Sequence, residues 1–117
     1  MTESEFLSLA DSTLKAIEAA LEQIANDTDL DVECTRSGNV LEIEFVDNGS
    51  KIIVNSQAPM QEMWVAAKAG GFHYRREGEQ WRNTRDGSEL FSALSGLASG
   101  QAGRLVSLDI RPKTTRS

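Results

Sequence analysis

Apolar side chains recur at three- and four-residue steps from the start of the chain. Phe6, Leu9, Ala10, Leu14, Ile17, Leu21 and Ile24 form one stripe, and that period predicts an amphipathic helix. Asp11, Lys15, Glu18 and Glu22 repeat at the same spacing on another face. Thr2 or Ser4, each followed by a glutamate, supplies a cap at the start. The turn-rich Asn26-Asp27-Thr28-Asp29 ends the helix by Asn26.

The period then changes from helical to two. Leu30, Val32 and Cys34 alternate with Asp29, Asp31 and Glu33, so the apolar set, with a buried Cys34, faces a core and the acids face water. Ser37-Gly38-Asn39 makes a turn, after which Leu41, Ile43 and Phe45 alternate with Glu42 and Glu44. Asp47-Asn48-Gly49 is a hairpin signal, because Asn-Gly tolerates positive φ. Lys51–Asn55 forms a third strand, Pro59 interrupts, and Met60–Ala67 forms a fourth. Gly70-Gly71 turns the chain into a hairpin of Phe72–Arg76 and Gln80–Asn83. Asp86, with Glu89 three residues on, has capping-box spacing before a second helix that turns Leu90, Phe91, Leu94, Leu97 and Ala98 inward and ends near Gly100. Leu105, Val106 and Leu108 are expected as a short strand or an arm over the core, and 113–117 as a loose tail. The predicted fold is α+β: a two-layer sandwich with both helices on one face of a five- to six-stranded antiparallel sheet. Residues 1–112 make one domain.

Composition narrows the class. The 117 residues are 39% hydrophobic and 26% charged, a globular mixture with no apolar run long enough to span a bilayer. The acidic start Met1-Thr2-Glu3-Ser4-Glu5-Phe6 has neither the basic start nor the apolar middle of a secretory signal. A cytoplasmic protein is expected, and the single cysteine, Cys34, forms no internal disulfide. The net charge of −6 is unevenly divided. Residues 1–50 carry 12 acids and two bases, a net of −10, whereas 51–117 carry six acids and ten bases, a net of +4. The acidic half repels phosphates and attracts cations or a basic protein, and the basic half has no compact stripe for nucleic acid.

Enzyme motifs are missing: no CxxC, HExxH, GxSxG or Walker sequence occurs. The single histidine, His73, is expected at a strand surface or turn. Asp27-x-Asp29-x-Asp31 begins like a calcium-binding loop, but Val32 replaces the required glycine and Gly38 the bidentate glutamate. Residues two apart on a strand are roughly 6.5–7 Å apart. Such carboxylates share a cation or its water shell without enclosing it, which suits hard cations such as Fe³⁺, Mn²⁺ or Ca²⁺ at weak, exposed sites. Glu18 and Glu22 extend the patch if the first strand lies beside the helix. Spacing alone favours a merely solvated edge that discourages strand-to-strand pairing. On the fourth strand, Met63 and Val65 point to the core, and Glu62, Trp64 and Ala66 point to solvent. Together with Asn55 and Gln57 they form a polar face bearing one tryptophan, as protein-binding surfaces often do. Trp81 reads as core.

These stretches carry a family resemblance that covers nearly the whole chain. Ser4-Glu5-Phe6, Leu9-Ala10-Asp11, Asn48-Gly49-Ser50-Lys51-Ile52-Ile53-Val54-Asn55, Gln57-x-Pro59, Trp64-Val65-Ala66-x-Lys68, Gly70-Gly71, Trp81 and Gly87 resemble the bacterial, CyaY-type frataxins. The resemblance implies an iron-binding, non-catalytic protein of iron–sulfur cluster assembly. It implies weak Fe²⁺ and Fe³⁺ binding along an acidic ridge that maps to Asp11, Glu18, Glu22, Asp27, Asp29, Asp31 and Glu33. It also implies docking of that ridge on a cysteine desulfurase, through Glu18, Glu22, Asp29 and Asp31. The face with Asn55, Gln57 and Trp64 would lie toward the iron–sulfur scaffold protein. The chain departs from the family at Leu7, where a histidine is common, and at Glu62, where eukaryotic members often have glutamine. A monomer is expected, and the sequence leaves open whether iron drives oligomerisation. The alternative is a store that oxidises Fe²⁺ and assembles into particles, although no Glu-x-x-His pattern is present.

Overall fold

The computed structural model describes residues 1–108; the expected domain end at 112 and the tail at 113–117 lie outside them. Helix α1 (Glu3–Asp27) begins with a reciprocal capping box in which Thr2 and Glu5 satisfy each other's backbone N–H groups. Its apolar stripe buries Phe6, Ala10, Leu14, Ile17 and Leu21. Thr28 closes it, with both its N–H and its hydroxyl donating to the Ile24 carbonyl.

Six strands follow: β1 (Val32–Ser37), β2 (Val40–Phe45), β3 (Ser50–Gln57), β4 (Glu62–Ala67), β5 (Gly70–Glu77) and β6 (Gln80–Asn83). Each pairs antiparallel with the next, in the order β1-β2-β3-β4-β5-β6. Such a meander follows from short turns, and Gly49, at φ 72°, supplies the left-handed residue of the β2–β3 turn. Helix α2 (Leu90–Ala102) returns across the same face as α1. Leu41, Ile43, Phe45, Ile52, Val54, Met63, Val65, Tyr74 and Trp81 project from the sheet into the core between the layers. The expected sandwich is therefore present, with six strands and an open sheet. Trp81 is core: its Nε1 donates to Thr13 Oγ1 at 2.9 Å, and its ring meets Phe6 edge-on.

Four local expectations need correction. The fourth strand starts at Glu62 rather than Met60, because Gln61 adopts φ 53° and its N–H closes a tight turn onto Ala58. The cap of α2 is Glu89, whose carboxylate accepts from the N–H groups of Phe91 and Ser92. Asp86 is instead occupied by the N–H and hydroxyl of Ser88. Helix α2 runs two residues past Gly100, to a left-handed C-cap at Gly103. Beyond it Val106 and Leu108 are buried as an arm, whereas Leu105 points to solvent.

Candidate functional site

Asp11, Glu18 and Glu22 lie on α1 where it runs beside the edge strand β1, and Asp27, Asp29 and Asp31 lie at the end of α1 and in the connection that follows. One contact fixes this alignment, and a pKa shift agrees with it. Arg36 of β1 donates to Asp11 of α1 at 2.6 Å. Cys34 of β1 is half-buried rather than fully buried, and its thiol is pushed up to about 12, first by burial and then by the nearby Glu18 and Glu22. Glu18 and Glu22 therefore lie near enough to β1 to act on one of its residues. The C-terminal end of α1 adds negative potential, since its last turn holds no basic residue and its carbonyl dipoles point outward there.

Alternation predicts Asp29, Asp31 and Glu33 on one strand, but of these only Glu33 lies within β1. Asp27 is the last helical residue, and its carboxylate accepts from Gln23 at 2.8 Å. Asp29 lies in the turn held by Thr28, whose hydroxyl also accepts from the Leu30 N–H. Asp31 just precedes β1, with its carbonyl taking the Val46 N–H. All four are exposed, and Leu30 and Val32 are buried, so the in–out pattern holds although the strand starts late.

Two of the seven acids already have cationic partners. Asp11 binds Arg36 and Lys15, which hold its carboxyl below the usual aspartate range. Asp29 binds Arg104, just beyond α2, with the same effect. Glu18, Glu22, Asp27, Asp31 and Glu33 make no ion pair within 4 Å among the described residues. Glu33 lies on the opposite sheet face from the helix, where it is directly paired across strands with Glu44. Like charges in that position repel, so Glu44 adds negative charge beside Glu33, partly offset by Lys51 directly opposite it on β3. The signal for it was the Glu42–Glu44 alternation joined to the short turn at Gly38. Glu42, by contrast, is paired with Lys51 at 3.0 Å.

The donor set is all carboxylate oxygen. No three His, Cys, Asp or Glu side chains among the described residues come together closely enough to hold one metal ion. Such an array offers a hard cation many loose contacts in exchange for few of its waters.

The second surface is the outer face of the sheet. Asn55 is paired with Trp64, Gln57 with Glu62, and Trp64 in turn with His73. The three residues expected on this face, Asn55, Gln57 and Trp64, are thus brought together. Trp64 is half-buried because its indole stacks on the His73 imidazole, with centroids 4.4 Å apart and planes 7° from parallel. Glu62 departs from expectation. It shares this face but is buried rather than solvated, because the Trp64 indole and Arg75 both donate to its carboxylate. The tryptophan row lies three strands from β1, roughly 14 Å at ordinary strand spacing.

Comparison with known proteins agrees with this architecture. Residues 1–104 match the frataxin-like domain. The chain is 73% identical over 103 residues to the iron-sulfur cluster assembly protein CyaY of Herminiimonas arsenicoxydans, spanning 88% of this chain and 92% of that one. Frataxin from Psychromonas ingrahamii has the same fold at a TM-score of 0.81 and 32% identity, over 92% of this chain and 98% of that one. A trimeric frataxin from Saccharomyces cerevisiae, complexed with ferrous iron, shares the fold at a TM-score of 0.70 and 21% identity, over 82% of this chain and 87% of that one. With its whole secondary structure matched and most of its length aligned to such a relative, this chain belongs to the frataxin family.

Proposed function

We propose that this protein is a non-catalytic, iron-binding regulator of iron–sulfur cluster assembly that works in the cytoplasm as a monomer. Its acidic ridge holds Fe²⁺ or Fe³⁺ weakly and also docks on the basic surface of a cysteine desulfurase. Its outer sheet face, with Asn55, Gln57 and Trp64, turns toward the scaffold protein. The observation that supports this reading is the packing of α1 beside β1, fastened where Arg36 donates to Asp11 at 2.6 Å, with Glu18 and Glu22 further along the same helix. Glu18, Glu22, Asp27, Asp31 and Glu33 are the acids this reading makes available to a cation, and Asp11 and Asp29 join only by exchanging their arginines.

The mechanism is electrostatic and collective. Exposed charge pairs are individually weak and screened by salt. Affinity therefore comes from several acids acting together, and iron and a basic partner compete for the same surface. The names of the close bacterial relatives support a place in cluster assembly. An Fe²⁺-oxidising store needs converging ligands, and the spread of these carboxylates favours many loose contacts instead.

The test is charge reversal at Glu18, Glu22, Asp29 and Asp31 together. Desulfurase binding is expected to be abolished and Fe²⁺ affinity to fall, with the circular dichroism spectrum unchanged. Unaltered affinity for both ligands refutes the ridge. Catalytic oxygen consumption on adding Fe²⁺ would replace this reading with the storage one.

A further inference from the structure

The sheet face turned away from both helices holds a carboxylate that solvent scarcely reaches. Glu62 opens β4 and is 4% exposed. Side chains of its own face bury it. Trp64 Nε1 donates to Oε1 at 2.8 Å, Arg75 donates to Oε2 at 3.0 Å, and His73 Nδ1 lies 3.5 Å from Oε1. Strand register explains the cluster. Glu62 is directly opposite Arg75 and Trp64 directly opposite His73 on β5, so all four side chains rise from one patch of a single face.

One carboxylate thus ties Trp64 and Arg75 by hydrogen bonds, and His73 is held against the indole by stacking. The indole has a single polar atom, a donor, and Glu62 takes it. The bond fixes the ring where it lies flat on His73. A large aromatic on an open sheet otherwise loses rotamer freedom when a partner binds, and a ring already held avoids that loss. The Arg75 side chain stays 60% exposed, and its guanidinium has more donors than one oxygen of Glu62 can use.

We propose that Glu62 is a positioning residue of the recognition face, holding Trp64, His73 and Arg75 as one preformed unit. With the indole N–H already taken, Trp64 offers a partner apolar surface only, and hydrogen bonding falls to Arg75. The segment this unit fits carries an apolar side chain for the indole next to an oxygen acceptor for the guanidinium. This rests on the docking role given above to Trp64, but the first arm of its test does not.

That arm uses the ¹⁵N-labelled full chain. Its two tryptophans give two indole N–H resonances, and the Trp81 signal, held by buried Thr13, reports the fold. Glu62→Ala and Glu62→Met remove the acceptor. They are expected to shift the Trp64 resonance and speed its hydrogen exchange at least tenfold, leaving Trp81 in place. Glu62→Gln keeps an acceptor oxygen and is expected to restore the Trp64 signal. A Trp64 resonance unmoved by Glu62→Ala and Glu62→Met overturns the proposal. The second arm measures binding of purified scaffold protein, with an expected loss of about tenfold for Glu62→Met and recovery with Glu62→Gln. Binding weakened by Trp64→Ala but not by Glu62→Met overturns the role of Glu62 alone. Binding indifferent to both variants removes the docking reading itself.

Discussion

Arg36 and Asp11, 25 positions apart, meet at 2.6 Å and fasten the first helix to the edge strand. Arg36 also donates through Nε to the Gly38 carbonyl, so the guanidinium is anchored by its own turn. A second cation, Lys15, approaches the same carboxylate one helical turn on. The pair sets the angle at which α1 presents Glu18 and Glu22 beside β1.

This contact makes stability depend on pH in a defined direction. Arg36, then Lys15, lowers the Asp11 carboxyl below the ordinary 3.8. A lowered carboxylate stabilises the fold above the unfolded value, and the contribution is lost as pH falls through the folded value. Asp11→Asn is therefore expected to lower Tm at pH 7. The gap to the unmodified chain should narrow as pH drops below about 4, the unfolded aspartate value. Thermal melts from pH 2.5 to pH 7 check this, and a gap independent of pH would mean that the ion pair contributes nothing.

Arg104 makes the corresponding contact with Asp29, from the far end of the chain. On the reading proposed above, it is a resident counter-ion that an incoming cation must displace. Asp29 is largely exposed and Arg104 nearly half, so the pair is weak and exchange is easy. Arg104→Ala is expected to raise the affinity of the ridge for Mn²⁺, a paramagnetic hard cation, by roughly two- to fivefold. Line broadening of the Asp29 and Asp31 amides during titration measures it. Broadening equal to that of the unmodified chain would leave Asp29 outside the cation site.

The elements themselves were legible because each follows from one period. The stripes from Phe6 to Ile24 and from Leu90 to Ala98, with the alternation in β1 and β2, place the core and both helices without any long-range information. What stayed hidden depends on contacts between distant positions. No local pattern ties Arg104 to Asp29, 75 residues away, or shows that two of the seven ridge acids are already engaged. Parity correctly put Glu62 on the outer face, yet its burial comes from Trp64 and from Arg75, 13 residues on, which only the β4–β5 register brings together. Capping also misled, since Asp86-Gly87-Ser88-Glu89 contains two candidate caps and the nearer turn captured Asp86.

Cys34 provides a chemical reading of the ridge that needs no metal. With its thiol pushed from 9.0 to about 12 by burial and then by Glu18 and Glu22, almost none is thiolate at pH 8. Alkylation is expected to run about a thousandfold slower than for a free cysteine, in proportion to the thiolate present. Glu18→Gln with Glu22→Gln removes two anions and is expected to speed labelling severalfold while burial keeps it slow. The double variant labelling at the unmodified rate would place both glutamates too far from β1 to share its field.

Gln101 is the buried polar side chain that joins the end of α2 to the sheet. Its Nε2 donates to the Lys51 carbonyl at 3.1 Å, and its Oε1 accepts from the Lys68 N–H at 3.0 Å. Its own carbonyl receives Asn48 Nδ2 at 2.7 Å. One residue thus satisfies backbone groups at the start of β3 and just after β4, beyond the last pair of the β3–β4 ladder. Gln101→Leu keeps similar volume but leaves the Lys51 carbonyl and the Lys68 N–H without that partner. A buried group left unpaired costs about 1–3 kcal/mol, and the site is part-buried, so a loss toward the lower end is expected in urea unfolding. Amide exchange at Lys68 should accelerate with it, whereas the ridge amides around Asp31 stay unchanged. If stability falls without faster exchange at Lys68, the loss comes from packing of α2 and not from this bridge.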